Sequence, residues 1–252
     1  MSRDIVKLTI KEHDIDLIDN LHEFPNLQIL DCSFNKPLEK LDLSQVPNLQ
    51  ELNCSYNNFE ELDFSPVPNL QVLNCSHNFL RSLDLSHLPN LRKLKCSDNL
   101  LQEVNLSHVP HLEKLKCCEN QLVELNFANV PKLSNLNFAL NQLQEVNLAH
   151  VPHLRKLNCA CNELLELNLA HIPNLKNLIC LRNHLTHLDL LHVPHLVSLN
   201  CSHNELTQLD LLHVPHLVNL DCSYNELTQL SLAQVRKLKT VNYKGNPHIL
   251  LC

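Results

Sequence analysis

Glycine, tryptophan and aromatic residues are scarce in this sequence of 252 residues. Gly245 is the one glycine, tryptophan is absent, and aromatic residues make up 4% of the chain. We therefore expect asparagine and proline, rather than glycine, to form the turns. No apolar run approaches the roughly 18 residues of a transmembrane helix, and the first residues lack the apolar segment of a secretory signal peptide. These absences predict no membrane segment and no secretion signal.

An excess of basic residues is also missing, because the formal net charge is −7 at pH 7. Nucleic acids and anionic membranes attract proteins through lysine and arginine. We therefore expect neither nucleic acid nor membrane as a general partner.

Asparagine marks a repeat of 21 residues that runs through the chain. Asn35 is followed by one step of 22 residues and then by steps of 21, at Asn57, Asn78, Asn99, Asn120, Asn141, Asn162, Asn183, Asn204, Asn225 and Asn246. Self-similarity at such a period predicts a solenoid of stacked coils. Because the period uses almost the whole chain, no stretch is left for a separate catalytic domain.

Each repeat begins with the pattern L-x-x-L-x-C-x-x-N-x-L, which is the signature of a leucine-rich repeat. Within it, Leu73 and Cys75 alternate with exposed residues, as in a β-strand. Proline at one fixed slot of the second half forbids a continuous helix, so we expect short extended or 3₁₀ segments there. Twelve strands are predicted, near Leu8, Leu30, Leu52, Leu73, Leu94, Leu115, Leu136, Leu157, Leu178, Leu199, Leu220 and Val241.

The predicted fold is a mostly β, right-handed leucine-rich repeat solenoid with a concave parallel sheet. We expect one domain, residues 1–252. It would comprise a degenerate N-terminal capping coil (1–25, where His13 replaces the ladder asparagine), regular repeats (26–235) and a C-terminal capping coil (236–252).

Cysteine occurs 12 times, and its positions indicate core packing rather than disulfides. Nine cysteines lie three residues before a ladder asparagine, at Cys32, Cys54, Cys75, Cys96, Cys117, Cys159, Cys180, Cys201 and Cys222. Neighbouring thiols on parallel strands are poorly aimed for a disulfide, and free cysteine packs as a small hydrophobe. We expect reduced thiols and a reducing compartment. Cys118 and Cys161 should face outward without a usable base beside them, so neither is expected to be a nucleophile.

The unit L-x-x-L-x-C-S-x-N-x-L-x-x-L-D-L-S, as in Leu49–Ser65, resembles the cysteine-ladder (internalin-like) subfamily of bacterial leucine-rich repeat proteins. This resemblance implies recognition of a partner protein and does not identify the partner. The signal peptide and helical cap of internalins are not visible. Compact leucine-rich repeat proteins of this kind also resemble effectors that intracellular bacterial pathogens inject into host cells, which would place the chain in the host cytosol.

The middle repeats interrupt a face that otherwise repeats asparagine and serine. The predicted partner-binding residues are the basic Arg92, Lys93, Lys95, Lys114, Lys116, Arg155, Lys156 and Arg182, and the apolar Leu140, Ile179 and Leu181. The simpler interpretation is a solvated sheet face. Exposed apolar groups beside clustered charge favour a surface for an acidic partner protein. Phe34, Tyr56 and Tyr224 share the slot of Leu140 and would add contacts at either end.

Histidine is abundant, with 17 residues. Two convex slots carry most of them, His87, His108, His150, His171, His192 and His213 in one and His111, His153, His195 and His216 in the other. Stacked imidazoles bind zinc in some proteins. Asparagine, lysine, glutamine and proline also occupy these slots, which favours a turn-capping or surface role.

The sequence thus predicts a monomeric, non-catalytic protein-binding module with no cofactor and no bound metal. Two alternatives stay open: a structural or zinc-binding protein that uses the histidine rows, and the recognition part of a larger enzyme.

Overall fold

A computed structural model describes residues 4–10, 16–36, 38–247 and 249–251 of the chain. His13, Pro37 and Cys252 lie outside the described residues. The described residues fall into two compact units, divided between Val130 and Pro131.

The first unit is a parallel β-solenoid. Its elements are β1 (Lys7–Thr9), α1 (Asp16–Asp19), a 3₁₀ helix (Leu21–Glu23), β2 (Ile29–Asp31), β3 (Glu51–Asn53), β4 (Val72–Asn74), β5 (Lys93–Lys95) and β6 (Lys114–Lys116). The six strands pair in chain order, and equivalent residues of successive repeats lie opposite one another, as with Leu73 and Leu94.

The second unit repeats this arrangement. Its elements are β7 (Asn135–Asn137), β8 (Lys156–Asn158), β9 (Asn177–Ile179), β10 (Ser198–Asn200), β11 (Asn219–Asp221), β12 (Gln229–Leu230), β13 (Thr240–Asn242) and β14 (Leu250–Leu251). Strands β7 to β11 and β13 form a parallel sheet in chain order, while β12 pairs with β14.

Alternation along each short strand explains the sheet. In β5 the central Leu94 is fully buried and the flanking Lys93 and Lys95 are exposed. Apart from the short pair β12 and β14, the other strands also centre on the predicted leucines and valine. The prediction of twelve parallel strands is therefore confirmed, with six in each unit. The second half of each repeat forms turns closed by bonds such as Leu91 N to Leu88 O at 3.1 Å, and the predicted leucine-rich repeat solenoid fold is confirmed.

The ladder asparagines bind backbone groups of two adjacent coils. The Asn183 amide nitrogen donates to the carbonyl oxygens of Cys180 and Cys159, each at 3.1 Å, and its side-chain oxygen accepts from the Leu164 N–H at 3.1 Å. Aspartate could not supply the two donations. Asparagine fits this position because one side chain must both donate and accept hydrogen bonds, as the sequence predicted.

The ladder cysteines lie in the core beside these bonds. Cys54, Cys75 and Cys159 are fully buried, and their thiols lie 3.5–3.6 Å from a carbonyl oxygen of the next coil. Burial is the main cause that raises the pKa of Cys75 and of Cys159 to about 12. The row is therefore built for neutral thiols, which can donate to a carbonyl as thiolates cannot.

Candidate functional site

Lysines cluster on the concave face of the first unit, the face formed by strand side chains that point away from the core. Lys93 lies opposite Lys114, and Lys95 lies opposite Lys116, in the register of β5 and β6. All four side chains are exposed. Like charges directly opposite on adjacent strands destabilise a sheet. This lysine cluster (Lys93, Lys95, Lys114, Lys116) is therefore unfavourable for the isolated fold.

Arg92 is a neighbour of the cluster but has an acidic partner. Its guanidinium donates to Glu113 Oε1 through Nε at 3.0 Å and also through Nη2. This pair neutralises Arg92 and leaves the positive charge concentrated on the lysines. The sequence pattern contained both residues but did not show that they pair.

The apolar candidates lie on the second unit. Leu140 is 49% exposed and Ile179 36% exposed, and Leu181 is half-buried. Just beyond the strands, backbone hydrogen bonds join successive coils. The Leu140 N–H donates to the Ala160 carbonyl oxygen at 2.8 Å, and the Cys161 N–H donates to the Leu181 carbonyl oxygen at 2.9 Å. Leu140, Cys161, Ile179 and Leu181 therefore line three successive coils, and we call them the apolar cluster.

Basic side chains flank the apolar cluster within the second unit. Lys156 is the first residue of β8, while Arg155 and Lys176 immediately precede β8 and β9, and all three are exposed. Arg182, also exposed, follows Leu181 at the opposite end of the strand segment. The structure thus brings the predicted residues of the second unit together around an apolar centre.

A hydrogen bond at the strand ends shows where the repeats depart from their own pattern. In eight repeats the last strand residue is asparagine or aspartate, and its side chain accepts from the N–H two residues later at 3.0–3.3 Å. Such Asx turns hold the chain where it leaves the strand. In the other three repeats between β2 and β13 this slot holds Lys95, Lys116 and Ile179, none of which can accept the bond. These three residues therefore give up a stabilising contact.

The slot just before each ladder asparagine carries backbone strain. Ten non-glycine residues there have φ between 51° and 59°, and Gly245 has φ of 74°. The left-handed region costs an ordinary residue about 1–2 kcal/mol, and bulky residues such as Leu140 and Arg182 are uncommon in it. Asparagine and glycine suit this conformation better, yet none of the ten repeats uses either residue in this slot.

Aromatic rings stack along this strained row. The ring centroids of Phe34 and Tyr56 are 4.2 Å apart, and those of Tyr56 and His77 are 3.9 Å apart. His77 also contacts the Asp98 carboxylate. Sequence reasoning identified Phe34 and Tyr56 but missed His77, although its identical slot 21 residues after Tyr56 was the available signal.

In the second unit, His203 and Tyr224 stack with centroids 4.4 Å apart. A Cβ atom on Gly245 would lie 2.6 Å from the Tyr224 ring, which explains the single glycine of the chain. Tyr224 therefore has one face against His203 and lies against the backbone of Gly245 on the other side.

In one of the two convex slots, asparagine caps a turn. Asn48, Asn90 and Asn174, which share the slot of His153, each donate to a proline carbonyl of the preceding coil at 3.2 Å. Across the described ranges, no group of three or more His, Cys, Asp or Glu side chains could hold a metal ion. Nor does any described helix have the length and apolar character needed to cross a membrane.

Comparison with known proteins agrees with this geometry. The model of the family "Leucine Rich repeats (2 copies)" matches residues 47–88 and 68–108. The functional domain of InlJ from Listeria monocytogenes, which includes a cysteine ladder, is 32% identical over 91% of this chain and 51% of that chain, with a TM-score of 0.88. The chain is a leucine-rich repeat protein.

Two further structures resemble this leucine-rich repeat protein. A leucine-rich repeat protein of Leptospira interrogans is 26% identical over 98% of this chain and 64% of that chain, with a TM-score of 0.85. The plant peptide hormone receptor RGFR1, solved in complex with RGF2, is 21% identical over 93% of this chain and 44% of that chain, with a TM-score of 0.75. This leucine-rich repeat protein thus spans about half of the InlJ chain and less than two thirds of the Leptospira chain. No curated protein sequence matches it significantly.

Proposed function

We propose that this leucine-rich repeat protein is a non-catalytic module that binds a partner protein through the concave strand faces of its units. The observation that carries the proposal is the loss of the Asx turn at Lys95, Lys116 and Ile179. Eight other repeats form that bond, so replacing its acceptor weakens the fold locally. Residues that lower the stability of the fold and make no compensating contact within it are typical of functional surfaces.

The lysine cluster supports an acidic partner. Its four exposed side chains are positive, and Arg92 beside them is already paired with Glu113. An acidic partner surface would relieve the repulsion between Lys95 and Lys116 and would be steered toward the protein. Association should therefore be fast and should slow as ionic strength rises.

The apolar cluster supports a tight contact on the second unit. Exposed apolar side chains surrounded by basic residues are typical of a protein–protein interface, which has an apolar centre and a polar rim. Leu140 and Ile179 would lose their water shell only in the bound state. Their burial should control the dissociation rate more than the association rate.

The cellular context follows from the cysteine row and the resemblance to InlJ. We assign the protein to the cysteine-ladder subfamily of bacterial leucine-rich repeat proteins. Because neutral thiols such as Cys75 pack in the core, we infer a reducing compartment. We propose that this compartment is the host cytosol, where the protein acts as a bacterial effector.

We further propose that residues 1–252 act as one monomeric recognition domain with capping coils at 1–25 and 236–252. Neither nucleic acid nor a membrane is its ligand.

Affinity capture with matched variants tests this function. The baits are the native protein, Lys95→Glu/Lys116→Glu, Leu140→Asp/Leu181→Asp, and Lys132→Glu as a charge control on the convex side. We expect the native and control proteins to retain one partner from host-cell or bacterial lysates and both concave variants to lose it. Equal recovery on folded concave variants would refute the assignment of the surface.

A further inference from the structure

We infer that the partner segment seated on the second unit is an acidic amphipathic α-helix that lies across strands β7, β8 and β9, with about one helical turn per coil. This inference rests on the proposed protein-binding function and specifies the partner's chemistry and shape.

The surface has two parallel edges of different character. One edge carries the apolar cluster, with the exposed Arg182 at its β9 end. Beside it lie Ala139 and Ala160, which are buried where most other repeats have serine. Alanine has no hydroxyl group, so these two positions extend the apolar character of the surface beside the exposed Leu140. The other edge carries Arg155, Lys156 and Lys176. A ligand that fits both edges must therefore be apolar on one side and acidic on the other.

The width between these edges fits a helix. Lys156 and Ala160 are separated by four residue steps, or about 13 Å in extended chain. An α-helix with its side chains is about 10–12 Å wide. One helix would therefore cover the apolar edge and bring residues on its flank to the basic edge.

The repeat distance also selects a helix over an extended peptide. Coils in such a sheet are about 4.8 Å apart, so the step from β7 to β9 is about 9.6 Å. Two helical turns advance about 10.8 Å. Two same-face steps of an extended strand advance about 13.4 Å. A helix thus remains within about 1 Å of register over three coils, whereas an extended segment loses register by almost one coil.

Backbone hydrogen bonding gives a second reason against an extended ligand. Strand β8 pairs with β7 on one side and with β9 on the other. A peptide therefore cannot add to β8 as a further strand. An extended peptide would place unpaired N–H and C=O groups against the apolar cluster, which is costly, whereas a helix satisfies its own backbone.

The charge pattern of the helix follows from the basic edge. Lys156 lies opposite Asn177 in the strand register, and Arg155 and Lys176 are equivalent residues of successive coils. Acidic residues three or four positions apart lie about 5–6 Å apart on a helix, which matches that coil spacing. The predicted ligand motif is a leucine-type stripe with glutamate or aspartate on one flank.

Two labelled synthetic peptides of identical composition test the inference. One places leucine at i, i+4, i+7 and i+11 with glutamate along one flank, and the other alternates leucine and glutamate. Binding is measured by fluorescence anisotropy, and peptide helicity by far-ultraviolet circular dichroism. Because the described residues of the protein contain only one α-helix, of four residues, helix formed by the peptide on binding would be visible in the circular dichroism spectrum.

We expect the helical pattern to bind at least about tenfold more tightly, equal to about 1.4 kcal/mol, and to gain helix when bound. Ile179→Asn/Leu181→Ser, which restores residues common at these slots, should abolish that preference. Leu191→Ser, an exposed convex site, should leave it unchanged. Equal binding of the two peptides, binding by neither, or insensitivity to the double variant would overturn the helical inference. Concave-dependent capture of a partner would still support the proposed function in each of those cases.

Discussion

Replacing Lys95 and Lys116 by asparagine should make the protein more stable while it weakens partner binding. Asparagine at these slots can accept the strand-end N–H bond that Asn74, the last residue of the adjacent strand β4, already accepts at 3.3 Å. A regained hydrogen bond contributes about 0.5–1.5 kcal/mol. Loss of the opposed like charges adds about 0.2–1 kcal/mol.

The double substitution should therefore raise the free energy of unfolding by about 1–3 kcal/mol, since neighbouring sites need not add fully. A protein of this size gains about 2–4 °C in Tm per kcal/mol. Thermal and urea unfolding followed by circular dichroism give this shift. Binding to an acidic partner should fall at least about tenfold, or about 1.4 kcal/mol.

Two controls separate the hydrogen bond from the charge. Lys95→Gln/Lys116→Gln removes the charges but has a longer side chain that does not match the Asx turn. Lys40→Gln removes one positive charge at an exposed residue outside the strands, and so measures the effect of charge loss away from the concave face. If the asparagine variant is no more stable than the glutamine variant, the Asx turn does not stabilise these repeats. If it binds its partner with native affinity, the two lysines are not part of the binding surface.

Three further predictions concern the scaffold. Asn183→Ala should lower the free energy of unfolding by about 1–3 kcal/mol because it leaves buried backbone groups unpaired, and an unchanged urea midpoint would contradict the ladder role. Leu140→Gly should stabilise the fold by about 1 kcal/mol through relief of its left-handed backbone, and a lower Tm would contradict that strain. In the native protein, a thiol reagent should modify the half-buried Cys118 and Cys161 within minutes and the buried Cys75 only on unfolding, as read by peptide mass spectrometry. Rapid native labelling of Cys75 would show that the core row is accessible.

The repeat period was sufficient to predict the strands. Because every coil must stack on the next in one register, a residue such as Leu94 can face only the core, and each predicted strand centre lies within its strand. The asparagine ladder could be predicted for the same reason. Asparagine recurs at one position of every full repeat, and its amide side chain can both donate and accept hydrogen bonds.

The details of the candidate site depend on geometry that the period does not contain. The pairing of Arg92 with Glu113 and the stack of Tyr56 on His77 depend on side-chain direction across coils. The left-handed backbone of Leu140 is set by the turn into the ladder asparagine rather than by leucine itself. The recurring Asx turn could have been inferred by aligning the repeats, which would have identified Lys95 as an exception.

Amine footprinting of the complex tests the concave-face assignment most directly. The protein, alone and bound to its captured partner, is treated briefly with an amine-acetylating reagent, and each lysine is quantified by mass spectrometry. We expect binding to protect Lys93, Lys95, Lys114 and Lys116, and Lys132 to be labelled to the same extent as in the free protein. Protection of Lys132 with unchanged labelling of the lysine cluster would contradict the concave-face assignment.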